Sequence, residues 1–294
     1  MKYTILLLIM ICLWACSAPF GKKTKIIHVE SFSSKYVPAR NIDIWIPASY
    51  SADTKYNVLY MHDGQMLFDS TNSWNKQAWM VGETMDRLIN EKIIRPTIVV
   101  AIWNINELRT IEYFPNKAYQ LLSDSIKNNL GKNRLKKSPE SDNYLRFITQ
   151  ELKPYIDDTY STYGDMQHTF IAGSSMGGLI SMYAICEYPE IFGGAACLST
   201  HWPGTFESNM EIPAAFRDYL ENNLPSADNH KIYFDYGTET LDSLYKPYQM
   251  MVDTVMMKKG FTPDNWITKV FAGDAHDERS WAKRLHIPLE FLLK

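Results

Sequence analysis

Residues 169–183 have the sequence TFIAGSSMGGLISMY, in which a short apolar run leads directly into a helical pattern. Its first four residues have the character of a buried strand, and the apolar residues after Gly178 recur at helical spacing. A serine on so sharp a strand-to-helix turn needs small residues two positions to either side, and Gly173 and Gly177 supply them. The pattern G-x-S-x-G in this setting predicts that Ser175 is a nucleophile raised above the edge of a sheet.

The backbone around Ser175 also predicts a site for negative charge. A helix that starts behind Ser175 points its positive end at the turn, so the N–H of Met176 is a candidate oxyanion donor. The alternative is that the glycines form a turn that only allows close strand–helix packing or that binds phosphate. No lysine follows them, however, as a phosphate-binding loop requires.

A serine hydroxyl needs a base, and in α/β hydrolases the acid and the histidine follow the serine in that order. His276 comes after the last predicted strand and is the candidate base, whereas His62 and His201 lie near strand ends and flank the site. Two carboxylates, Glu239 and Asp242, follow the preceding strand and compete for the role of acid. Glu239 is favoured because it is nearer the strand end, and Asp242 alternatively caps the next helix.

A second oxyanion donor is expected from the loop after an early strand. Gly64 lets the chain turn inward there, which makes the N–H of Gln65 the candidate donor. An ordinary turn with an Asp-Gly signature is the alternative.

Strand patterns alternate with helix patterns along the chain. The strands are predicted at residues 42–46, 58–61, 97–103, 169–172, 194–198, 232–236 and 266–271. The helices are predicted at residues 79–90, 142–156, 177–187, 214–222, 246–259 and 281–292. This alternation predicts an α/β fold, a mostly parallel central sheet with helices on both faces. Residues 120–140 are polar and basic without a clear period, which indicates an exposed loop or a flap over the site.

The amino terminus has the pattern of an export signal. Lys2 precedes an apolar run, and Leu13-Trp14-Ala15-Cys16 resembles the lipobox at which bacterial lipoproteins are cut and lipidated. The prediction is a signal peptide over residues 1–15, a lipidated Cys16 with a tether over 16–24, and one domain over 25–294. The protein is then exported and anchored to a membrane only through the lipid on Cys16. Ordinary secretion with a cut near Ser17 or Ala18 is the alternative.

The amino-acid composition limits the classes of ligand and cofactor to be expected. The 294 residues carry 30 Lys plus Arg and 33 Asp plus Glu, a net charge of −3, so nucleic acid is an unfavourable ligand. The four cysteines are not spaced with histidine as metal ligands, and neither a metal nor an organic cofactor is required. Aromatic residues make up 13% of the chain, which favours rings that line a groove.

Five further segments of the sequence resemble segments of one known protein family. They are YMHDGQ at 60–65, Arg109 with EYFP at 112–115, ELKPYI at 151–156, YPEIF at 188–192 and the His276 loop. With the Ser175 motif, they resemble the putative esterase family of α/β hydrolases, which includes enterochelin esterases, feruloyl esterases and S-formylglutathione hydrolase. The resemblance implies that Ser175 is the nucleophile and His276 the base, with oxyanion donors near Gln65 and Met176. Many members carry the acid three residues after the strand-ending glycine, where this chain has Thr240.

The resulting hypothesis is an exported serine esterase that acts through an acyl-enzyme. Four residues near predicted loop ends are candidates for substrate binding: Trp74, Arg109, Trp202 and Trp281. Acylated carbohydrate, with acetyl or feruloyl groups, is the favoured small-molecule or glycan substrate. A ferric-siderophore triester is one alternative, and a catalytically inactive binding lipoprotein on the same fold is the other.

Overall fold

The structure is a computed structural model that describes residues 24–71, 73, 75–135 and 137–294. The predicted signal peptide, Cys16 and nearly all of the predicted tether lie outside these residues, as does the predicted substrate contact Trp74. Among the described helices, none has both the length and the apolar character needed to cross a membrane.

The fold is built on one eight-stranded sheet. Its strands are β1 (Lys25–Phe32), β2 (Arg40–Ile46), β3 (Asn57–His62), β4 (Thr97–Ile102), β5 (Thr169–Ser174), β6 (Gly194–Leu198), β7 (Lys231–Gly237) and β8 (Trp266–Phe271). Their order in the sheet is β1-β2-β4-β3-β5-β6-β7-β8. The pairs β1–β2 and β2–β4 are antiparallel, and all other pairs are parallel. The prediction of a mostly parallel sheet is confirmed.

Helices cover both faces of this sheet. They are α1 (Val81–Asn90), α2 (Arg109–Tyr113), α3 (Asn116–Gln120), α4 (Asp124–Asn133), α5 (Ser141–Phe147), α6 (Lys153–Thr159), α7 (Met176–Glu187), α8 (Glu211–Asn223), α9 (Lys246–Lys258), α10 (Glu278–Arg284) and α11 (His286–Leu293). A π-helical turn, Ile148–Leu152, joins α5 to α6, and 3₁₀ turns occupy Gly64–Met66, Met166–His168 and Thr240–Leu244.

The hydrophobic core lies in two layers, one on each face of the sheet. Along β3, Val58 and Tyr60 belong to the layer that contains α5 and α7, whereas Leu59 and Met61 belong to the layer under α1 and α11. Successive side chains of a strand point to opposite faces, so a strand buried on both sides is apolar at every position. This explains why the central strands were recognisable as continuous apolar runs.

Several segments differ from the sequence-based prediction: helices α2 and α3 were not predicted, and the helix predicted at 281–292 is divided into α10 and α11. Strand β1 was not predicted, because it is an edge strand whose side chains are mostly exposed and therefore lack an apolar run. Residues 120–140, predicted as an exposed loop, contain helix α4, with Ser123 as its N-cap. Within α4 only Leu130 is fully buried, so its sequence has no clear helical period.

The carboxyl ends of the parallel strands share one edge of the sheet. The turn after β5 carries Ser175, the loop after β3 carries Gln65, and the loop after β8 carries His276. Parallel α/β sheets place their ligand sites at this edge. The topology therefore brings the candidate site residues to one end of the molecule.

Candidate active site

Ser175 occupies a strained turn between β5 and α7. Its backbone has φ 57° and ψ −119°, in a region that residues with a side chain rarely adopt. A Cβ on Gly173 would lie 2.8 Å from the backbone carbon and oxygen of Gly177, so glycine is required there. The Ser175 N–H donates a 2.9 Å hydrogen bond to the carbonyl of Leu198, which ties the turn to β6.

Both candidate oxyanion donors border the same cavity as Ser175. Met176 is the first residue of α7, where backbone N–H groups have no partner within the helix. Gln65 belongs to the 3₁₀ turn after β3. A Cβ on Gly64 would lie 2.7 Å from the backbone of Ala101, so the absence of a side chain there lets this turn press against β4.

His276 also borders this cavity and is held by two neighbours. Its Nδ1 lies 2.6 Å from Asp242 Oδ1, and its backbone N–H donates a 2.8 Å hydrogen bond to Thr240 Oγ1. The His276 side chain is 13% exposed and that of Asp242 is fully buried. Because the carboxylate takes Nδ1–H, Nε2 remains free to accept a proton.

The structure distinguishes between Glu239 and Asp242, the two carboxylates that the sequence left as candidate partners of His276. Asp242 lies within the 3₁₀ turn Thr240–Leu244 and contacts His276, and it does not act as a helix cap. Glu239 is exposed, and among the described residues its carboxylate accepts a single hydrogen bond, of 3.4 Å, from the Thr238 hydroxyl. The preference for Glu239 is therefore not supported. Thr240, at the position where many family members carry the acid, instead holds the backbone of His276.

A buried polar cluster orients Asp242. Its Oδ2 accepts hydrogen bonds of 2.6 Å from the Gly237 N–H and 2.6 Å from the Ser199 hydroxyl. Arg284, on α10, donates to Ser199 Oγ and forms an ion pair of 2.9 Å with Asp235. The acid is thus anchored by the ends of β6 and β7 and by α10.

Asp63 and Arg109, which also line the cavity, form an ion pair. Two hydrogen bonds of 2.7 Å join the Arg109 guanidinium to the two oxygens of Asp63, and Asn104 donates a third of 2.7 Å. Burial alone would raise the pKa of the Asp63 carboxyl, but the charge and hydrogen bonds of Arg109 outweigh it and hold that pKa below its ordinary value. Asp63 thereby neutralises the charge of Arg109.

The two histidines expected to flank the site have different surroundings. His201 borders the cavity, and its Nδ1 lies 2.8 Å from the hydroxyl of Tyr245, which interacts with the Ser175 side chain. Burial, and then the charge of Arg134, hold the pKa of His201 well below its ordinary value, so its ring is neutral. His62 lies beneath the site, where burial lowers its pKa to about 3.

The cavity has a volume of about 610 Å³, and one of the predicted tryptophans lines it. Trp281 forms part of its wall, with its ring 5.0 Å from that of His276 and its N–H bonded to Ser199. Trp202 does not: it is 1% exposed and donates to Gln249 Oε1 inside the core. The prediction that Trp202 contacts substrate is wrong, because its loop turns the ring inward.

Sequence reasoning missed several residues of this site. Asp63, Ser199 and Arg284 were not singled out, although each takes part in a buried hydrogen-bond network. Ser199 directly follows β6, so a polar residue just past the carboxyl end of a buried strand was an available signal. Arg284 gave no such signal, since it is the last residue of α10 and does not follow a strand.

Comparison with known proteins identifies the family. The sequence profile of the family described as "Putative esterase" matches residues 33–285. The uncharacterized protein YbbA of Bacillus subtilis is 24% identical over 270 residues, 89% of this chain and 96% of that protein. An endo-1,4-beta-xylanase/feruloyl esterase of Xylanibacter ruminicola is 28% identical over 212 residues, 70% of this chain and 26% of that protein.

A solved ferulic acid esterase has the same fold. It superposes with a TM-score of 0.66 at 19% sequence identity, and the match covers 92% of this chain and 98% of the other. With the profile match across most of its length, the chain belongs to the putative esterase family of α/β hydrolases and is a carboxylic ester hydrolase.

Proposed function

We propose that this chain is an exported serine hydrolase that cleaves acyl esters of carbohydrate through an acyl-enzyme on Ser175. The observation that supports this most is the Asp242–His276 pair, 2.6 Å apart, whose imidazole borders the same cavity as the strained Ser175. A nucleophile, a base and an orienting acid at one cavity are the parts that acyl transfer needs.

The first half-reaction forms the acyl-enzyme. Ser175 Oγ attacks the ester carbonyl carbon while His276 Nε2 takes the hydroxyl proton, and Asp242 stabilises the resulting imidazolium. The backbone N–H groups of Met176 and Gln65 donate to the oxyanion. The tetrahedral intermediate then collapses, the bond to the alcohol oxygen breaks, and His276 returns its proton to the departing alcohol.

The second half-reaction releases the acid. Water takes the place of the alcohol, His276 removes one proton from it, and the resulting hydroxide attacks the acyl carbon. Collapse of this intermediate breaks the bond to Ser175 Oγ, which regains the proton from His276. The free enzyme and a carboxylic acid are left.

The lining of the cavity supports a carbohydrate substrate. Five of its hydrogen-bonding side chains are uncharged amides, from Gln65, Asn75, Gln77, Asn104 and Asn106, and five are charged, from Asp63, Arg109, Arg134, Asp277 and Glu278. Amides pair well with sugar hydroxyls, and flat rings such as those of Trp79 and Trp281 suit the apolar face of a sugar or a feruloyl group. The relative whose name joins a xylanase to a feruloyl esterase adds support.

The proposed export depends on the amino-terminal sequence. The apolar run and the Leu13-Trp14-Ala15-Cys16 pattern favour cleavage before Cys16 and lipidation of that residue. Expression in a bacterial host with fractionation tests this. The wild-type chain is expected in the membrane fraction and the variant Cys16→Ala outside it, whereas equal distribution would contradict a lipid anchor.

A fluorophosphonate probe tests the serine mechanism. The wild-type protein is expected to be labelled, Ser175→Ala to be unlabelled, and the neighbouring Ser174→Ala to retain its label. Hydrolysis of p-nitrophenyl acetate is expected to be lost in His276→Ala as well. If the folded wild-type protein neither reacts with the probe nor cleaves any ester, it is an inactive binding protein instead.

Substrate class is tested with a panel of acetyl-xylan, a feruloyl sugar ester and a catecholate triester. We expect kcat/KM to be highest for one of the two carbohydrate esters. A clear preference for the triester would replace carbohydrate with siderophore as the substrate class.

A further inference from the structure

A second cavity, of about 740 Å³, adjoins the catalytic one. Arg134 and Phe206 line both cavities and so form the boundary between them. The remaining walls come from α4, with Asn129 and Asn133, from Thr110 of α2, and from the segment that leads into α8, which includes the carboxylate of Glu207. The two cavities therefore meet at Arg134 and Phe206.

Arg134 carries the charge at this boundary without a carboxylate partner. Its guanidinium stacks 4.2 Å over the ring of Phe206, and its Nη1 lies 3.4 Å from His201 Nε2. The residues that the structure describes include every Asp and Glu of the chain, and none of them forms an ion pair with Arg134. Arg109, the other arginine of the catalytic cavity, is neutralised by Asp63.

An unpaired cation in this position is energetically unfavourable. Burial, and then the neighbouring charge of Arg109, lower the pKa of Arg134. Only one of its five N–H groups has a hydrogen-bond contact in the described part of the chain, so an edge of the guanidinium is available for a planar two-oxygen group. A ligand carboxylate would supply the missing countercharge.

The rest of the cavity matches a sugar. The Asn133 amide donates a 2.9 Å hydrogen bond to Asn129 Oδ1, which leaves the Asn133 oxygen and the Asn129 N–H groups without partners among the described residues. Phe206 is 72% exposed and offers a flat apolar face. An aromatic face beside free amide groups suits the apolar and hydroxyl faces of a pyranose ring.

We propose that the second cavity binds the alcohol half of the ester, and that this half is a sugar with a carboxylate that pairs with Arg134. This inference rests on the proposed function, because it names the carbohydrate that Ser175 deacylates. The ring of Phe206 stacks against the Arg134 guanidinium and supports it, and the amides of α4 contact the hydroxyls of the sugar. The acyl group stays in the catalytic cavity.

A matched pair of substrates tests this proposal. The two are the same aryl-acid ester of a neutral methyl hexoside and of the corresponding methyl hexuronide, compared in the full-length protein and in Arg134→Gln. The readout is the ratio of kcat/KM for the uronide to that for the neutral sugar. We expect this ratio to fall at least about tenfold in Arg134→Gln, and to be only partly kept in Arg134→Lys, which retains the charge but not the planar two-donor edge.

The outcomes distinguish this inference from the proposed function. If wild-type protein cleaves p-nitrophenyl acetate but the ratio is unchanged in Arg134→Gln, the subsite is wrong and the esterase stands. An equal fall in kcat/KM for the uronide and for the neutral sugar would mean that Arg134 acts only through His201. That result would likewise overturn the proposal. A selective loss of catecholate-ester hydrolysis in Arg134→Gln would replace the sugar carboxylate with another anion.

Discussion

The Ser199 hydroxyl donates a 2.6 Å hydrogen bond to Asp242 Oδ2, on the carboxylate whose other oxygen accepts from His276. The indole of Trp281 and the guanidinium of Arg284 each donate to Ser199 Oγ at 2.9 Å. Both acceptor positions of the hydroxyl are filled, so its single proton has to point at Asp242. Asp242, the proposed acid, is therefore oriented by a hydroxyl whose own donor direction is fixed.

Removing this hydroxyl should weaken catalysis more than its size suggests. We expect Ser199→Ala to lower kcat by about tenfold, or about 1.4 kcal/mol of transition-state stabilisation, because Asp242 loses one of its fixed donors. Ser141→Ala is the control, since it removes a buried hydroxyl that accepts a hydrogen bond from the Asn116 N–H, in α3, away from Asp242. Steady-state kinetics with melting curves for both variants would check this, and equal kcat values would contradict it.

Separate amide substitutions of the two candidate acids, Asp242 and Glu239, distinguish their roles. Asp242→Asn is expected to lower kcat by on the order of 10³-fold to 10⁴-fold, because an amide favours the wrong tautomer of His276. Glu239→Gln, at an exposed position without contact to His276, is expected to stay within about twofold of wild type. Circular dichroism establishes that both variants fold. Similar mild effects of the two substitutions would leave a Ser175–His276 pair without an acid.

The two tryptophans should respond in opposite ways to substitution. Trp281→Phe removes a cavity wall and the N–H bond to Ser199, so we expect a changed kcat/KM with a modest loss of stability. Trp202→Phe leaves the cavity intact but loses the buried bond to Gln249, which we expect to lower stability by about 1–3 kcal/mol with KM unchanged. Denaturant melts and kinetics on both variants test this. A raised KM in Trp202→Phe would contradict the placement of that ring.

Burial of His62 predicts a pH dependence of stability. Its pKa falls from an ordinary value of 6.5 to about 3 on folding, so between these values the unfolded state binds a proton that the folded state does not. The group therefore destabilises the fold as pH falls below 6.5, by about 1.4 kcal/mol per pH unit. Urea melts from pH 7 to pH 4 should show a shallower loss for His62→Gln than for wild type. Parallel curves would mean that His62 is protonated in the native state.

The central part of the fold was predictable because its signals are local. The strands from β3 to β7 are apolar at nearly every position, and the Ser175 turn requires its two glycines whatever surrounds it. Strand β1 and helix α4 escaped prediction because each buries few side chains, and amphipathic patterns arise only from one-sided burial.

The choice of acid and the role of Trp202 were not predictable for a different reason. Glu239 and Asp242 share one loop, and only the three-dimensional course of the turn Thr240–Leu244 decides which carboxylate meets His276. Similarly, an aromatic residue just past a strand end can face the core or the cavity. The sequence does not record which way the loop after β6 turns the indole of Trp202.

The threonine at position 240 has a consequence for how related chains are sorted. A survey that judges catalytic competence from the alignment column of Thr240 alone would find no carboxylate there. It would classify this protein with homologues that have lost the catalytic acid. Asp242 reaches the imidazole from two residues further on, so such surveys should ask which oxygen lies against the ring nitrogen. Other homologues dismissed on that column merit the same check.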